Sequence, residues 1–372
     1  MELDTRGLWH AVRVSVETLY TYTRAAAAAT NKDVLMAASD SAPTPVVVTE
    51  DRIRDLVTEA DALASARAAF AAMATEGAVQ QPPPMSYDLP ENAVEIHVKG
   101  AALSGAPAMA VKMATGGYKN RERGLGPAGA GLVIIVDTYT GYPAAILLEN
   151  AYLTDMRTAA AGALASTLLM PPEPSAGCTL AIIGAGVQAR LHARSVTSAM
   201  PGRFSNIVLW ARRPEQSAAT AETVSAELAE LGDEGITVSS VATAQEAVTG
   251  AALVVTVTPS REPLVEAEWL EPSATVVAVG SDGVGKREVG DSVLAAAVLL
   301  VMDQNSLTLG DLQFAPPAQK EAAVSLGDIL LGKHPGRTGE GIVLADLTGC
   351  GAQDAAIGAE VWAKIQAQQS KL

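Results

Sequence analysis

Cysteine, histidine and aromatic residues are scarce in this chain of 372 residues, which has two Cys, four His, three Phe, four Trp and seven Tyr. Cys178 and Cys350 are far apart and lack the spacing of metal ligands, so we interpret both as buried thiols of a reducing, cytoplasmic compartment. With so few histidines and no paired His/Asp cluster, no metal site is predicted.

Basic residues are also few: 26 Lys and Arg stand against 41 Asp and Glu, which gives a net charge of −15. A nucleic-acid backbone requires clustered cations, so no nucleic-acid partner is predicted. No apolar segment approaches the roughly 18 uncharged residues of a spanning helix, and no membrane partner is predicted either. The length and the 49% hydrophobic content indicate a globular chain of two domains.

Residues 1–44 differ from the rest, with an alanine run at 25–29 and a loose polar stretch at 39–45. The apolar core of a secretory signal is missing, and the acidic residues count against an organelle transit peptide, which remains an alternative because of Arg6, Arg13 and Arg24. We interpret this segment as a flexible appendage, and Met36 is a candidate for the true start. From Val46 onwards the hydrophobic pattern becomes regular.

The central motif is Gly184-x-Gly186-x-x-Ala189, which follows the apolar run 180–183 and precedes a helical pattern. Gly184 permits a tight turn, Gly186 leaves room for a pyrophosphate, and the helix N-terminus offers N–H groups to it. A glycine turn in another kind of parallel α/β domain is the alternative. The cofactor residues predicted around the turn include Ala185, Val187 and Gln188.

The second strand of this βαβ unit, 206–210, ends in Arg212 and Arg213. An NAD-selective domain usually has an acidic residue at this place for the ribose 2′-hydroxyl, whereas arginine accommodates a 2′-phosphate. The pattern therefore favours NADP over NAD, with a pair of solvated surface arginines as the alternative.

Further strands are predicted at 236–241, 253–258, 274–280 and 298–302, and they continue the doubly wound pattern. Ligands lie beyond the carboxyl ends of such strands, which places Thr258, Ser281 and Asp282 near the glycine turn. An ordinary turn aspartate is the alternative for Asp282. The glycines of 343–354 suggest either a loop over a ligand or a plain strand–turn–helix joint.

Three cations are candidates for holding an anion. Lys99 and Lys112 lie within predicted strands, where a lysine is costly to bury unless it meets an anion; a solvated sheet face is the alternative. Thr154 is a predicted N-cap, which puts Arg157 and Thr158 near the first turn of an alanine-rich helix. A cation there opposes the helix dipole, so Arg157 is interpreted as an anion ligand, with a surface arginine as the alternative.

From about Val46 to the last helix, the chain resembles the ornithine cyclodeaminase/mu-crystallin family. The blocks that carry the resemblance are Val111-Lys-Met113 with Asn120, Leu153-Thr-Asp-Met-Arg-Thr-Ala-Ala160, Ile183-Gly-Ala-Gly-Val-Gln188, Thr258-Pro-Ser-Arg-Glu-Pro263, Gly280-Ser-Asp282 with Gly285-Lys-Arg-Glu288, and Thr348-Gly-x-Gly-x-Gln-Asp354.

The resemblance implies an α/β fold in which a doubly wound Rossmann domain is inserted into a smaller α+β substrate and dimerisation domain. The corresponding ranges are 152–334 for the NAD(P)-binding domain, 45–151 plus 335–372 for the other domain, and 1–44 for the appendage. It also implies a homodimer that binds NADP or NAD and a small amino or imino acid.

By resemblance, Lys112 and Arg157 bind the substrate carboxylate, Asp282 exchanges a proton near the amino group, and Thr158, Thr258 and Ser281 contact the cofactor. Many members have an arginine after the proline segment, but 82–87 has none here, and Lys99 is the expected substitute. The predicted activity is an imine reductase or amino-acid dehydrogenase. An ammonia-releasing cyclodeaminase is the alternative, and a non-catalytic NADPH-dependent binding protein is the second.

Overall fold

The computed structural model describes residues 42–117, 119–174 and 176–370, so most of the predicted appendage lies outside the described residues. The chain forms two compact units. The first contains the described residues up to Val57, Thr75–Ala151 and those from Asp354; the second contains Thr58–Ala74 and Tyr152–Gln353. Within the described residues, no helix has the length and apolar character needed to cross a bilayer.

The first unit is built on one sheet. Its strands are β1 (Val46–Thr49), β2 (Val79–Gln80), β3 (Met85–Leu89), β4 (Val94–Leu103), β5 (Ala108–Gly117), β6 (Gly129–Asp137) and β7 (Pro143–Leu148). The order is β1-β7-β6-β5-β4-β2, with β3 also paired to β4, and every pair except β1–β7 is antiparallel.

Two helices complete this unit: α1 (Glu50–Leu56) and α11 (Gly351–Gln369), of which the residues from Asp354 belong here. Helix α11 packs on one face of the sheet, where a Cβ at Gly358 would lie 3.1–3.5 Å from Ile135, Ala110 and Val133. Glycine allows this close approach, and the helix buries alternate residues of β5 and β6.

The second unit is a parallel sheet wrapped by helices. Its main strands are β8 (Cys178–Ile183), β9 (Phe204–Trp210), β10 (Thr237–Ser240), β11 (Leu253–Thr256), β13 (Thr275–Ala278), β15 (Ala297–Met302), β16 (Val324–Ser325) and β17 (Ile342–Asp346), while β12 (Arg261–Val265) and β14 (Arg287–Val289) form a separate pair. The order β10-β9-β8-β11-β13-β17-β15-β16 contains the doubly wound 3-2-1-4-5 arrangement, followed by β17 as the neighbour of β13, which confirms the predicted Rossmann type.

The helices of this unit are α2 (Glu59–Met73), α3 (Tyr152–Leu169), α4 (Val187–Ala199), α5 (Pro214–Glu230), α6 (Ala244–Val248), α7 (Asp291–Ala296), α8 (Ser306–Leu309), α9 (Pro317–Ala322) and α10 (Leu326–Leu330). Short 3₁₀ helices lie at Ala267–Trp269 and Asp311–Phe314. The core lies between the sheet and its covering helices, and strands β11, β13 and β17 are buried along their whole length. These runs are apolar because a parallel sheet is covered on both faces.

The units differ from the predicted ranges at two places. Residues 58–74 lie in the second unit, because α2 packs on α3 and α10 there. Residues 335–353 do too, because β17 pairs between β13 and β15. The glycine-rich tail that follows β17 leads directly into α11.

Candidate functional site

The glycine turn at the end of β8 has the geometry that a phosphate requires. Gly184 has φ +136°, and a Cβ on it would lie 2.8–2.9 Å from Val257. Gly186 is the N-cap of α4, forms no side-chain cap, and has open space where a Cβ would be. The first N–H groups of α4 are therefore available beside an open space, which fits the pyrophosphate of a dinucleotide.

The neighbouring helix α5 fixes this turn. The carbonyl of Ala185 accepts hydrogen bonds from Gln216 Nε2 at 2.9 Å and from Thr220 Oγ1 at 3.1 Å. Val187 follows on the surface, with 49% of its area exposed. The turn is thus held from behind while its outer side stays accessible.

Gln188, predicted as a cofactor residue, turns its amide towards α3. Its Nε2 donates to Asp155 Oδ1 at 2.8 Å. The backbone carbonyl of Gln188 contacts His192 Nδ1 at 2.9 Å. Burial lowers the pKa of His192 to about 4, so this imidazole is neutral. The side chain of Gln188 therefore joins the two helices α3 and α4.

The carboxyl end of β9 carries the two predicted arginines, and both are exposed. Arg213 is the N-cap of α5 without a side-chain cap, and its Nε donates to Gln216 Oε1 at 3.0 Å. Because Gln216 also holds Ala185, Arg213 is connected to the glycine turn through one side chain. Two guanidinium groups here suit a ribose 2′-phosphate.

Thr258 and Ser281 lie at the carboxyl ends of the next two strands, as predicted, but their hydroxyls have partners inside the protein. Thr258 Oγ1 donates to Glu288 Oε1 at 2.8 Å. Ser281 is fully buried, and its hydroxyl donates to the carbonyl of Lys286 at 2.8 Å. Both residues therefore shape these strand ends through internal bonds.

Asp282 follows the end of β13 and is accessible, with 42% of its side chain exposed. Its Oδ1 accepts a hydrogen bond from Lys286 Nζ at 2.8 Å, whereas the side chain of Lys286 is only 8% exposed. An ammonium at this distance stabilises the charge of the carboxylate. Sequence reasoning missed Lys286, and its position four residues after Asp282 was the available signal.

Below these strand ends lies a group of buried carboxyls that sequence reasoning also missed. Burial raises the pKa of Glu288 to about 7, and the nearby Asp311 adds to the effect. Burial likewise raises the pKa of Asp311 to about 6 and that of Asp346 well above its usual value. Among the described residues, no group of His, Cys, Asp and Glu has the arrangement of a metal site.

The prediction that Thr154 caps a helix is wrong, because α3 already begins at Tyr152. Asn150 and Ala151 have φ of +49° and +72°, and the helix begins directly after this left-handed turn, three residues earlier than a cap at Thr154 would place it. Thr154 is an internal residue, and its carbonyl accepts from Thr158 Oγ1 at 2.8 Å.

Arg157 consequently lies in the second turn of α3 and is buried. Its Nη1 donates to Gln353 Oε1 at 3.1 Å. The guanidinium packs against Gly349, where any Cβ would collide with Arg157 Nη1. A solvated surface arginine is therefore not what the structure shows.

In the first unit, Lys112 is 2% exposed and its Nζ donates to Asp354 Oδ1 of α11 at 2.7 Å. The apolar neighbours in β5 lie on the opposite, more accessible face, where Met113 is 37% exposed. Lys99 of β4 pairs directly with Lys112 and is half-buried. The sheet thus brings two cations side by side, an arrangement that is repulsive unless anions accompany it.

The ornithine cyclodeaminase/mu-crystallin family model matches residues 44–369. An uncharacterized cyclodeaminase of Sinorhizobium fredii is 38% identical over 85% of this chain and 94% of that protein. The ketimine reductase mu-crystallin of Mus musculus is 30% identical over 70% and 77%. An archaeal alanine dehydrogenase, solved as a dimer with bound NAD, is 26% identical with a TM-score of 0.76 and covers 87% of this chain and 97% of that one.

Proposed function

Because the chain belongs to the ornithine cyclodeaminase/mu-crystallin family, we propose that it is an NAD(P)H-dependent oxidoreductase that interconverts a small α-imino acid and its amino acid. The observation that favours a reductase is the arginine pair at the end of β9. Arg212 and Arg213 are exposed where an acidic residue would favour NAD, which suits an exchangeable NADP.

The turn at Gly184 and Gly186 accommodates the pyrophosphate of the cofactor, because the N-terminus of α4 has open space beside it. The bound nicotinamide supplies or accepts the hydride. The chain itself orients the imine and moves a proton, and both contributions accelerate such a reaction.

The buried cations are the proposed carboxylate ligands. Gln353 and Gly349 fix the orientation of Arg157, and Asp354 fixes that of Lys112. Both side chains are therefore already ordered, and substrate binding does not have to cost their conformational entropy. Lys99 beside Lys112 is proposed to accept the same carboxylate, in place of the arginine absent from 82–87.

Asp282 is proposed as the acid/base. Its side chain is 42% exposed, and Lys286 donates a hydrogen bond to Oδ1. This bond orients the carboxylate while it stays accessible. A carboxyl in this position donates a proton to nitrogen on imine reduction and accepts it in the reverse direction.

The test is purified protein with NADPH or NADH and two imines, pyrroline-2-carboxylate and iminosuccinate, with nucleotide oxidation followed by absorbance. We expect oxidation with one of them and a preference for NADPH that falls when Arg212 and Arg213 are both changed to Ala. The proposal fails if neither imine is reduced while ornithine yields ammonia and proline.

That last outcome would support a cyclodeaminase, the second candidate. The observation in its favour is the 38% identity with the Sinorhizobium fredii cyclodeaminase, over nearly the whole chain. In this activity the cofactor is regenerated in each cycle, so ammonia forms without net nucleotide oxidation.

We also propose a homodimer formed through the face of the first unit's sheet opposite α11. A row of apolar residues crosses four strands there: Met85, Val98, Met113 and Leu132 are successive cross-strand partners. Met85 is 55% exposed, and a wide apolar face of this kind is typical of an interface. The alanine dehydrogenase with the same fold is a dimer.

Light scattering during gel filtration tests the assembly. We expect a dimer for the unchanged chain and a monomer for Met113→Asp, since a carboxylate would be buried in the interface. Val284→Asp, at an exposed position of the second unit, is the matched control. A dimer that survives Met113→Asp contradicts the proposal.

A further inference from the structure

Glu288 of β14 is fully buried, and its carboxylate accepts four hydrogen bonds. One oxygen accepts from the backbone N–H of Thr258 at 2.6 Å and from its hydroxyl at 2.8 Å. The other accepts from the N–H of Gly280 at 2.7 Å and from the hydroxyl of Thr256 at 2.8 Å. One side chain thus occupies the donors of two neighbouring strand ends.

These strand ends touch each other where the chain leaves the sheet. Strands β11 and β13 are parallel partners as far as Thr256 and Ala278. Beyond them, a Cβ at Gly280 would collide with the backbone N and O of Thr258 and lie 2.7 Å from Glu288 Oε1. The backbones of Thr258 and Gly280 are therefore in direct contact, with the carboxylate of Glu288 beneath both.

We propose that Glu288 is a positioning residue: its ionised carboxylate fixes Thr258 for the cofactor and, through Gly280, fixes Asp282 two residues later. The inference rests on the proposed function of Thr258 and Asp282. Glu288 itself contacts neither substrate nor cofactor and acts only through the two strand ends.

The ionised form is required because four donors converge on two oxygens. A protonated carboxyl must donate its own hydrogen, so one hydroxyl bond reverses its direction and the bonds from both backbone N–H groups lose the charge that strengthens them. Burial, with Asp311 nearby, raises the pKa of Glu288 to about 7, so this change falls near neutral pH.

The charged groups that face Glu288 or lie on its strand belong to the second unit. Asp311 faces Glu288 from the 3₁₀ helix, and its Oδ1 accepts from the N–H groups of Glu288 and Val289. Asp346 of β17 lies beyond Asp311, and Asp303 lies near Asp346. On its own strand, Arg287 turns away to Asp291 and to the ring of Phe314. Strands β11 and β13 contribute only hydroxyl and backbone groups to this contact.

The experiment is fluorescence titration of NADPH from pH 5.5 to 8.5, with thermal melts of the cofactor-free protein in the same buffers. For the unchanged chain we expect affinity to rise about tenfold as pH increases through 7, because the backbone bonds to Thr258 and Gly280 regain their charge-assisted strength together. Glu288→Gln should bind weakly throughout and lose the step. Thr256→Val, which leaves both backbone bonds in place, is the matched control and should stay within about threefold at pH 8.5.

Asp311→Asn distinguishes positioning from a merely structural role and leaves Glu288 itself unchanged. The Asn Oδ1 still accepts from both N–H groups, but the negative charge is removed, so the step should move to lower pH. This variant also decides the question if Glu288→Gln does not fold.

Two results overturn the inference. One is a pH-dependent rise in NADPH affinity that persists in Glu288→Gln, and the other is a rise that stays at the same pH in Asp311→Asn. Both concern binding without substrate. Failure of imine turnover with these binding results intact would overturn the proposed reaction and leave the role of Glu288 standing. A chain that binds neither NADPH nor NADH would overturn both.

Discussion

A lysine–aspartate pair of the first unit and one of the second have nearly the same length but differ in burial. Lys112 and Asp354 are 2.7 Å apart with side chains 3% and 1% exposed. Lys286 and Asp282 are 2.8 Å apart, yet the aspartate is 42% exposed. A buried pair cannot lose one member without leaving a charge out of water, whereas an accessible carboxylate can exchange protons with a ligand. The same chemistry therefore predicts a structural dependence in one unit and a catalytic one in the other.

The largest expected effect tests the accessible pair. Asp282→Asn keeps the oxygen that Lys286 holds but cannot donate or accept the proton, so turnover should fall about 10²–10⁴-fold. Nucleotide binding should be unchanged, as measured by fluorescence titration. Asp291→Asn, which changes another exposed aspartate of the same unit, is the control. Normal turnover in Asp282→Asn would remove Asp282 from the reaction.

The buried pair should respond in stability instead. Lys112→Met leaves the Asp354 carboxylate buried without its ammonium, at a cost of about 3–5 kcal/mol in the free energy of unfolding. Adding Asp354→Leu should recover most of that loss, which denaturant unfolding would measure.

The double variant also separates the two roles of Lys112. If Lys112 binds the substrate carboxylate as well, the KM for the imine stays raised after stability is restored. A KM that recovers together with stability would limit Lys112 to a structural role.

Buried carboxyls of the second unit extend the comparison. The folded-state pKa values of Glu288 and Asp311 are raised to about 7 and 6 from ordinary values of 4.5 and 3.8. The folded protein binds more protons in this window, so stability should decrease as pH rises from about 5 to 8, by an amount on the order of a few kcal/mol. A melting temperature of the second unit that rises over this pH range would contradict the raised pKa values. The double variant Glu288→Gln with Asp311→Asn should make the melting temperature nearly independent of pH over the same range.

The sequence was sufficient for the parts of the fold that depend on periodicity. The apolar runs and Gly184-x-Gly186 predicted the parallel sheet and its glycine turn. A buried strand requires apolar residues and a positive φ favours glycine, so both can be recognised from residue type. Alternation in β5 separated Lys112 from Met109 and Met113. It did not show which face α11 covers, since that depends on Asp354 and its helix, 242 positions after Lys112.

The misses have a different cause: the directions of side chains in turns and caps follow no period. Thr154 has the chemistry of an N-cap, but the left-handed Asn150 and Ala151 start the helix earlier. Ser281 was placed at the right strand end, and its hydroxyl turns inward to Lys286. Glu288 and Lys286 belong to a sequence block that carries the family resemblance, but their hydrogen-bond partners are seen only in the folded structure.

The smallest expected effect concerns Lys286 itself. Because the Asp282 carboxylate is 42% exposed and stays solvated without its partner, Lys286→Met should lower stability by about 1 kcal/mol or less. The alkaline limb of the kcat profile for imine reduction should nevertheless move to higher pH, since the carboxyl of Asp282, the proton donor in this direction, loses the ammonium that favours its charged form. Lys286→Arg keeps a cation and should restore the limb. If the kcat profile of Lys286→Met is the same as that of the unchanged chain, Lys286 does not affect proton transfer by Asp282. The pairs Lys286–Asp282 and Lys112–Asp354 would then differ in burial alone.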